Sequence, residues 1–176
     1  MSNFLVIIDG PMGSGKTTIG KILHKELKRT AVLSTDMIKF FLSDFERGER
    51  DNALTASVLR QMCKEYIRNE INLVLAQGFW KKEYLEPYLE IAKENNLEVF
   101  IYQLEAPKEF LLERIRNRPK PELARTPVPE ERIQKNLKTW EENRYSLGKI
   151  FNVTAQSSEQ IAAEILLDLK KFNFSE

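Results

Sequence analysis

Residues 10–17 read Gly10-Pro11-Met12-Gly13-Ser14-Gly15-Lys16-Thr17. Glycines, one lysine and one hydroxyl at these spacings suit one kind of chemistry, the holding of a phosphate chain. The string fits G-x-x-x-x-G-K-[ST], the Walker A pattern. Glycine tolerates positive φ and has no Cβ, so its backbone N–H groups approach phosphate oxygens closely. A helix beginning near Gly15 aims its N-terminal N–H groups and the positive end of its dipole at the same anion. Lys16 is expected to reach the β- and γ-phosphates as a mobile point charge. The Thr17 hydroxyl is expected to be one Mg²⁺ ligand, with water and phosphate oxygens supplying most of the others. The predicted nucleotide contacts in this stretch are Gly10, Met12, Gly13, Ser14, Gly15, Lys16, Thr17 and Thr18. Asp9, just before it, is read as structural, accepting a hydrogen bond from the loop backbone.

A second group able to do chemistry is Ser34-Thr35-Asp36. A carboxylate at Asp36 can orient an acceptor hydroxyl and take its proton, or hold Mg²⁺ through water. A compatible structural reading makes Asp36 the N-cap of a helix over residues 37–42. Gln77-Gly78-Phe79-Trp80 is a third. Many proteins with a Walker A loop carry a Walker B aspartate at this point; Gln77 brings hydrogen bonds but no charge. Phe79 and Trp80, with Phe40, Phe41 and Phe45, are candidates either for an acceptor pocket or for core. The fourth group is cationic. Arg114 and Arg118 share a helix face as i,i+4 neighbours, and Arg125 follows in a stretch with four prolines between 119 and 129. Such a basic flap suits phosphoryl transfer, because arginine forks stabilise charge on the moving group and closure excludes water. Arg116, on another face, is read as solvated or ion-paired, and Arg132 as a further residue able to reach the site.

These groups need a scaffold that brings them to one rim. Residues 4–8 form an unbroken apolar run, the pattern of a buried parallel strand. Residues 17–28 carry Ile19, Ile22, Leu23 and Leu27 at helical spacing. Further strands are predicted over 31–33, 73–76, 99–104 and, more weakly, 150–153. Helices are predicted over 52–70, with Leu54, Val58, Met62 and Tyr66 among the buried positions, and over 82–95, where Pro87 delays or bends the start. Others run from Lys108, from Glu130 through Trp140, and over 159–171 with Ser157 or Ser158 as N-cap. Strands alternating with helices imply an α/β fold with a parallel sheet covered on both faces, its ligands bound beyond the carboxyl ends of the strands.

The chain has 176 residues, 42% hydrophobic and 30% charged, which excludes disorder and a bilayer-spanning class. Lysine and arginine number 27 against 26 acidic residues. That balance argues against nonspecific polyanion binding without closing off a local basic site. The expectation is a cytoplasmic protein: Met1-Ser2-Asn3 runs straight into the first strand, and the single cysteine, Cys63, suits a reducing compartment. Cys63 is read as packing, and the lone His24 as a helix-surface residue.

Taken together, these stretches resemble the small P-loop kinases of the P-loop NTPase superfamily. That group includes shikimate and gluconate kinases, chloramphenicol phosphotransferase, zeta-toxin-like kinases and polynucleotide kinase. The resemblance rests on residues 10–17, on Ser34-Thr35-Asp36, on Leu104-Glu105-Ala106-Pro107 leading into residues 111–118, and on the flap and closing helix through Glu141. It implies a three-layer fold with five parallel strands in the order 2-3-1-4-5, one domain over 1–176 and a lid at about 117–131. It implies ATP and Mg²⁺ as cofactors, with Lys16, Asp36, Arg118 and Arg125 catalytic and Thr17 and Asp36 at the metal. Arg114, Arg118 and Gln156 would meet the nucleotide, Gln156 beside adenine. The implied activity is transfer of the γ-phosphoryl group to a hydroxyl of a small molecule. The alternatives are a nucleotide or polynucleotide 5′-hydroxyl kinase and, from a different class, a nucleotide-binding switch with weak ATPase activity. No acceptor-specific motif of a named member is present.

Overall fold

The computed structural model describes residues 3–46, 48–117, 128–143 and 145–173. Strands β1 (Phe4–Asp9), β2 (Thr30–Leu33), β3 (Asn72–Ala76), β4 (Glu98–Glu105) and β5 (Lys149–Asn152) form one parallel sheet in the order β2-β3-β1-β4-β5. That is the order the resemblance implied. The helices are α1 (Lys16–Glu26), α2 (Thr35–Lys39), α3 (Glu49–Arg68), α4 (Glu86–Glu94), α5 (Lys108–Arg116), α6 (Glu130–Glu142) and α7 (Ser158–Asn173).

β1 is central because every one of its residues is apolar or, at Asp9, satisfied internally; all six are buried. Its period-2 alternation divides the core. Phe4, Val6 and Ile8 face the layer of α1 and α7, against Ile19, Leu23, Ile161 and Ile165. Leu5 and Ile7 face the layer of α3 and α4, against Leu59, Cys63 and Ile91. A smaller cluster of Leu111, Ile133 and Leu137 joins α5 to α6, and Met12 of the glycine loop packs on it.

Two local expectations are revised. α2 begins at Thr35, with Ser34 at its N-cap, so Asp36 lies inside the first turn and does not cap the helix. α3 buries Thr55, Leu59, Cys63 and Ile67, one position on from the expected stripe; Leu54, Val58 and Tyr66 stay 45%, 37% and 36% exposed. The reason is tertiary: the sheet fixes the helix's rotation, and the larger apolar run does not choose it. The helix expected over 82–95 starts late, as Pro87 implied: a 3₁₀ turn (Lys82–Tyr84) precedes α4, and the proline sits in the first turn of α4 where no N–H is needed. At α7 the N-terminus is as read. Gln160 N–H donates to Ser157 Oγ and Ser157 N–H donates to Gln160 Oε1, a reciprocal capping box.

Gly148 lets the chain enter β5. Its φ is +78°, and an added Cβ would lie 2.1 Å from the Ile101 carbonyl oxygen of β4. Gly148→Ala is therefore expected to cost at least ~2–3 kcal/mol and to lower Tm markedly, measured by thermal and denaturant unfolding.

Candidate active site

The loop between β1 and α1 is built from backbone conformations that only glycine adopts without strain. Gly10, Gly13 and Gly15 have φ of +154°, +86° and +101°. The space above them is closed to side chains. A Cβ on Gly10 would stand 2.9 Å from Leu104 O, and one on Gly13 would stand 3.0 Å from Leu111 O. Gly15 is the N-cap of α1, so the helix's first N–H groups open towards the loop. Lys16 Nζ donates to the carbonyls of Gly10 (2.8 Å) and Pro11 (2.7 Å), which holds its ammonium against the loop. Ser14 Oγ is buried with no hydrogen-bond partner among the described residues. A buried hydroxyl without a partner costs free energy unless a ligand supplies one. Together with the cradle that excludes Cβ atoms, it fits an anion.

Arg114 is brought to this loop: its guanidinium nitrogens lie within 4 Å of the Cβ position of Gly15, and it packs over the Phe110 ring. Ser158, at the start of α7, borders the same point, so the segment after β5 adjoins the loop. In that segment Gln156 donates to Glu164 of α7. Thr17 and Thr18 are exposed at the start of α1. Among the described residues no cluster of three His, Cys, Asp or Glu side chains stands ready for a metal. The Thr17 hydroxyl, at the start of α1, could supply one ligand to a magnesium ion held beside phosphates.

Asp9 is the residue whose role the sequence understates. Its carboxylate is fully buried and accepts four hydrogen bonds: Gly10 N–H at 2.7 Å, Phe79 N–H at 2.8 Å, Tyr145 O–H at 2.7 Å and Gln103 Nε2–H at 3.4 Å. Gln103 in turn donates to Tyr145 O and accepts from Leu147 N–H. One carboxylate thus clamps the first residue of the phosphate loop, the loop after β3 and the segment before β5. Burial, then the hydrogen bond to Asp9, holds the Tyr145 phenol above its ordinary range, so it stays a donor. Tyr145→Phe leaves a buried carboxylate short of a donor and is expected to destabilise by about 1–3 kcal/mol in denaturant titrations. Sequence reading reached the contact of Asp9 with the loop but missed Tyr145 and Gln103. The available signal was an acidic residue at the end of an otherwise apolar strand, since such a residue needs donors from elsewhere.

Asp36 stands at the carboxyl end of β2, on the same edge of the sheet as the loop. Its side chain is 80% exposed and pairs with Lys39 at 2.9 Å. Lys39 itself is only 21% exposed. Gln77 does not stand in as an acid. Its Oε1 accepts from Thr35 N–H at 2.9 Å. It thereby ties the end of β3 to the first turn of α2.

The aromatics separate by location. Phe79 is buried edge-to-face on Tyr88 and belongs to the core. Trp80 sits over Gly78, whose added Cβ would lie 3.2 Å from Gly10 O, and meets Trp140 of α6 edge-to-face at 6.3 Å. Phe40 and Phe41 are exposed. Arg116 pairs with Glu130 at 3.0 Å, as read. Cys63 is buried, and desolvation pushes its thiol up to about 12, which fits packing. His24 lies exposed on α1. Arg118, Arg125 and most of the expected lid fall outside the described residues.

A family model described as an AAA domain (AAA_33) matches residues 5–142. The chain belongs to this family of P-loop proteins. Solved structures of similar fold include a putative kinase from Chloroflexus aurantiacus, 17% identical with a TM-score of 0.72, covering 97% of each chain. A gluconokinase from Sinorhizobium meliloti is 18% identical with a TM-score of 0.67, covering 96% of this chain and 93% of that one. Kti12 from Chaetomium thermophilum, in complex with ADP-AlF3, is 15% identical with a TM-score of 0.67, covering 92% and 97%. At these identities the likeness is one of fold. No curated protein sequence matches the chain. Among the described residues of this AAA_33 member, no helix is long and apolar enough to cross a membrane.

Proposed function

We propose that this protein is an ATP- and magnesium-dependent kinase that transfers the γ-phosphoryl group to a hydroxyl of a small-molecule acceptor. The observation that carries the reading is the loop itself: three positive-φ glycines, Lys16 held across them and the partnerless buried hydroxyl of Ser14, at the start of a helix. Neighbouring folds that include a gluconokinase and an ADP-AlF3 complex support it.

In this reading the loop N–H groups and Ser14 Oγ hold the β-phosphate, and Lys16 leaves the loop carbonyls for the β,γ-bridge. Magnesium, held by Thr17 with Asp36 nearby, would supply positive charge to the phosphate oxygens. Asp36 accepts the hydrogen bond of the acceptor hydroxyl and takes its proton as the oxygen bonds to the γ-phosphorus. The bond from that phosphorus to the bridging oxygen breaks, and ADP leaves with the electron pair. Arg114 beside Gly15, with Arg118 and Arg125 from the lid, offsets the charge on the moving group. Gln156 borders the adenine. The catalytic set works within one domain and a cytoplasmic setting.

The test is a transfer screen with γ-labelled ATP over sugars and sugar acids, nucleosides, aminoglycoside- and phenicol-like alcohols and 5′-hydroxyl oligonucleotides. Labelled small-molecule product, dependent on Asp36, is the expected result. Label only on oligonucleotides would replace the acceptor assignment with a polynucleotide one. Tight ATP binding with no product from any acceptor would overturn the kinase reading.

A further inference from the structure

Both tryptophans of the chain, Trp80 and Trp140, meet edge-to-face between the loop after β3 and α6, and each is only half-buried. This place adjoins the phosphate loop. An added Cβ on Gly78 would stand 3.2 Å from Gly10 O and 3.6 Å from Trp80 Cζ2, and Gly10 O is one of the two carbonyls that hold the Lys16 ammonium. The sheet order also sets Trp80 between Asp36 and the loop, since β3 lies between β2 and β1. A molecule resting on Trp80 therefore has the carboxylate on one side and the loop on the other.

The two residues after Trp80 are lysines. Lys81 and Lys82, with Glu83, Asn143 and Tyr145, line an open pocket of about 240 Å³. Tyr145 ties this pocket to the loop: its hydroxyl donates to Asp9, which also accepts the Gly10 N–H. The Asn143 amide donates to Thr139 O. The neutral polar groups are thus engaged within the protein, and the lysines are not. Both are exposed, and among the described residues neither ammonium has a hydrogen bond or an ion pair. Lys39 and Arg116, by contrast, are paired with Asp36 and Glu130. The pocket therefore holds two unpaired cations against the single carboxylate of Glu83.

We propose that Lys81 and Lys82 form an anion site beside Trp80, so that the acceptor is an alcohol carrying a carboxylate or a phosphate. Its charged group rests on the two ammonium groups and its carbon frame on Trp80 and Trp140. A few placed charges in an otherwise apolar site fix orientation, which here decides the hydroxyl that reaches Asp36. A neutral alcohol of the same shape leaves both lysines to water and forfeits their charge-assisted hydrogen bonds. The word acceptor rests on the kinase reading above; the anion site does not.

Because both tryptophans lie here, intrinsic tryptophan fluorescence reads the site without any transfer reaction. The full chain, saturated with magnesium ADP to keep added anions off the loop, is titrated with alcohols matched except for charge: gluconate and glucose 6-phosphate against glucose, and glycerol 3-phosphate against glycerol. At least one anionic alcohol is expected to give a saturable change at an affinity ~10-fold or more above its neutral counterpart, weakened by added salt. Lys81→Met/Lys82→Met is expected to lower that affinity by ~10–100-fold, the usual worth of hydrogen bonds to a charged group. Glu83→Gln is expected to raise it by ~2-fold or more, since one like charge is gone. In the transfer screen the double variant is expected to raise the acceptor KM by ~10-fold or more and leave the KM for ATP unchanged. All three side chains are exposed, and thermal unfolding checks that the variants fold. The proposal is overturned by neutral alcohols binding as tightly as their anionic partners, by no saturable change with any anionic alcohol, or by an affinity indifferent to the double variant. Labelled product from neutral alcohols alone overturns the anion site and leaves the kinase reading standing. Lysine-dependent anion binding with no transfer to any acceptor does the reverse.

Discussion

Lys16→Ala is expected to reduce phosphoryl transfer by ~10²–10³-fold and to weaken ATP binding by tenfold or more. The first figure is the usual worth of one preorganised donor at developing charge, and the second follows from losing a charge-assisted hydrogen bond of about 1.5–3 kcal/mol. The structure narrows what else the change can do. Lys16 is half-buried and donates to the Gly10 and Pro11 carbonyls within the loop. Tm in the absence of nucleotide reads what the change costs the fold. The stabilisation that saturating ATP adds to the parent should shrink in the variant, because a ligand stabilises in proportion to its affinity. Initial-rate kinetics and thermal shifts with and without ATP measure the two effects separately. A variant with unchanged rate and unchanged ATP-dependent shift would remove the basis for assigning this loop to nucleotide.

Asp36→Asn is expected to lower kcat by ~10²-fold or more while the KM for ATP holds, the signature of a positioned base that does not touch the donor. The substitution keeps shape and hydrogen bonding and removes only charge and basicity. Because Asp36 is 80% exposed and does not cap α2, its contribution to stability is small, and the variant should unfold at nearly the same denaturant concentration. A large stability loss with turnover per folded molecule preserved would assign Asp36 to the first turn of α2, where a carboxylate favours the helix dipole. Lys39→Met separates the two contributions further. It removes the Lys39 ammonium, leaves the carboxylate and is expected to change kcat by less than tenfold.

The candidate site was legible in the sequence where its chemistry is local. All of the loop's phosphate-facing groups lie within eight residues of chain, so glycine spacing, lysine and hydroxyl carry the signal together. The positions of Asp36 and Arg114 followed from periodicity, because a strand end or helix face fixes where a side chain is presented. The sheet order came from resemblance and not from pattern, since alternating strands and helices are compatible with several parallel orders. Gln77 looked like a lost acid and proved to be a brace, because its partner Thr35 lies 42 residues earlier in the chain.

By itself, then, the sequence determined a loop of Walker A spacing between a buried strand and a helix, with Asp36 at the same edge of the sheet and Arg114 on the helix that borders the loop. These depend on bonds between near neighbours, which residue type and spacing encode directly. Only the tertiary structure decided how that loop is held, through Asp9 to Phe79, Gln103 and Tyr145 at separations of 70, 94 and 136 residues. It also decided which face of α3 is core. A helix has the same internal hydrogen bonds at every rotation about its axis, so the sheet beneath it, and not its own apolar stripe, selects the side that is buried.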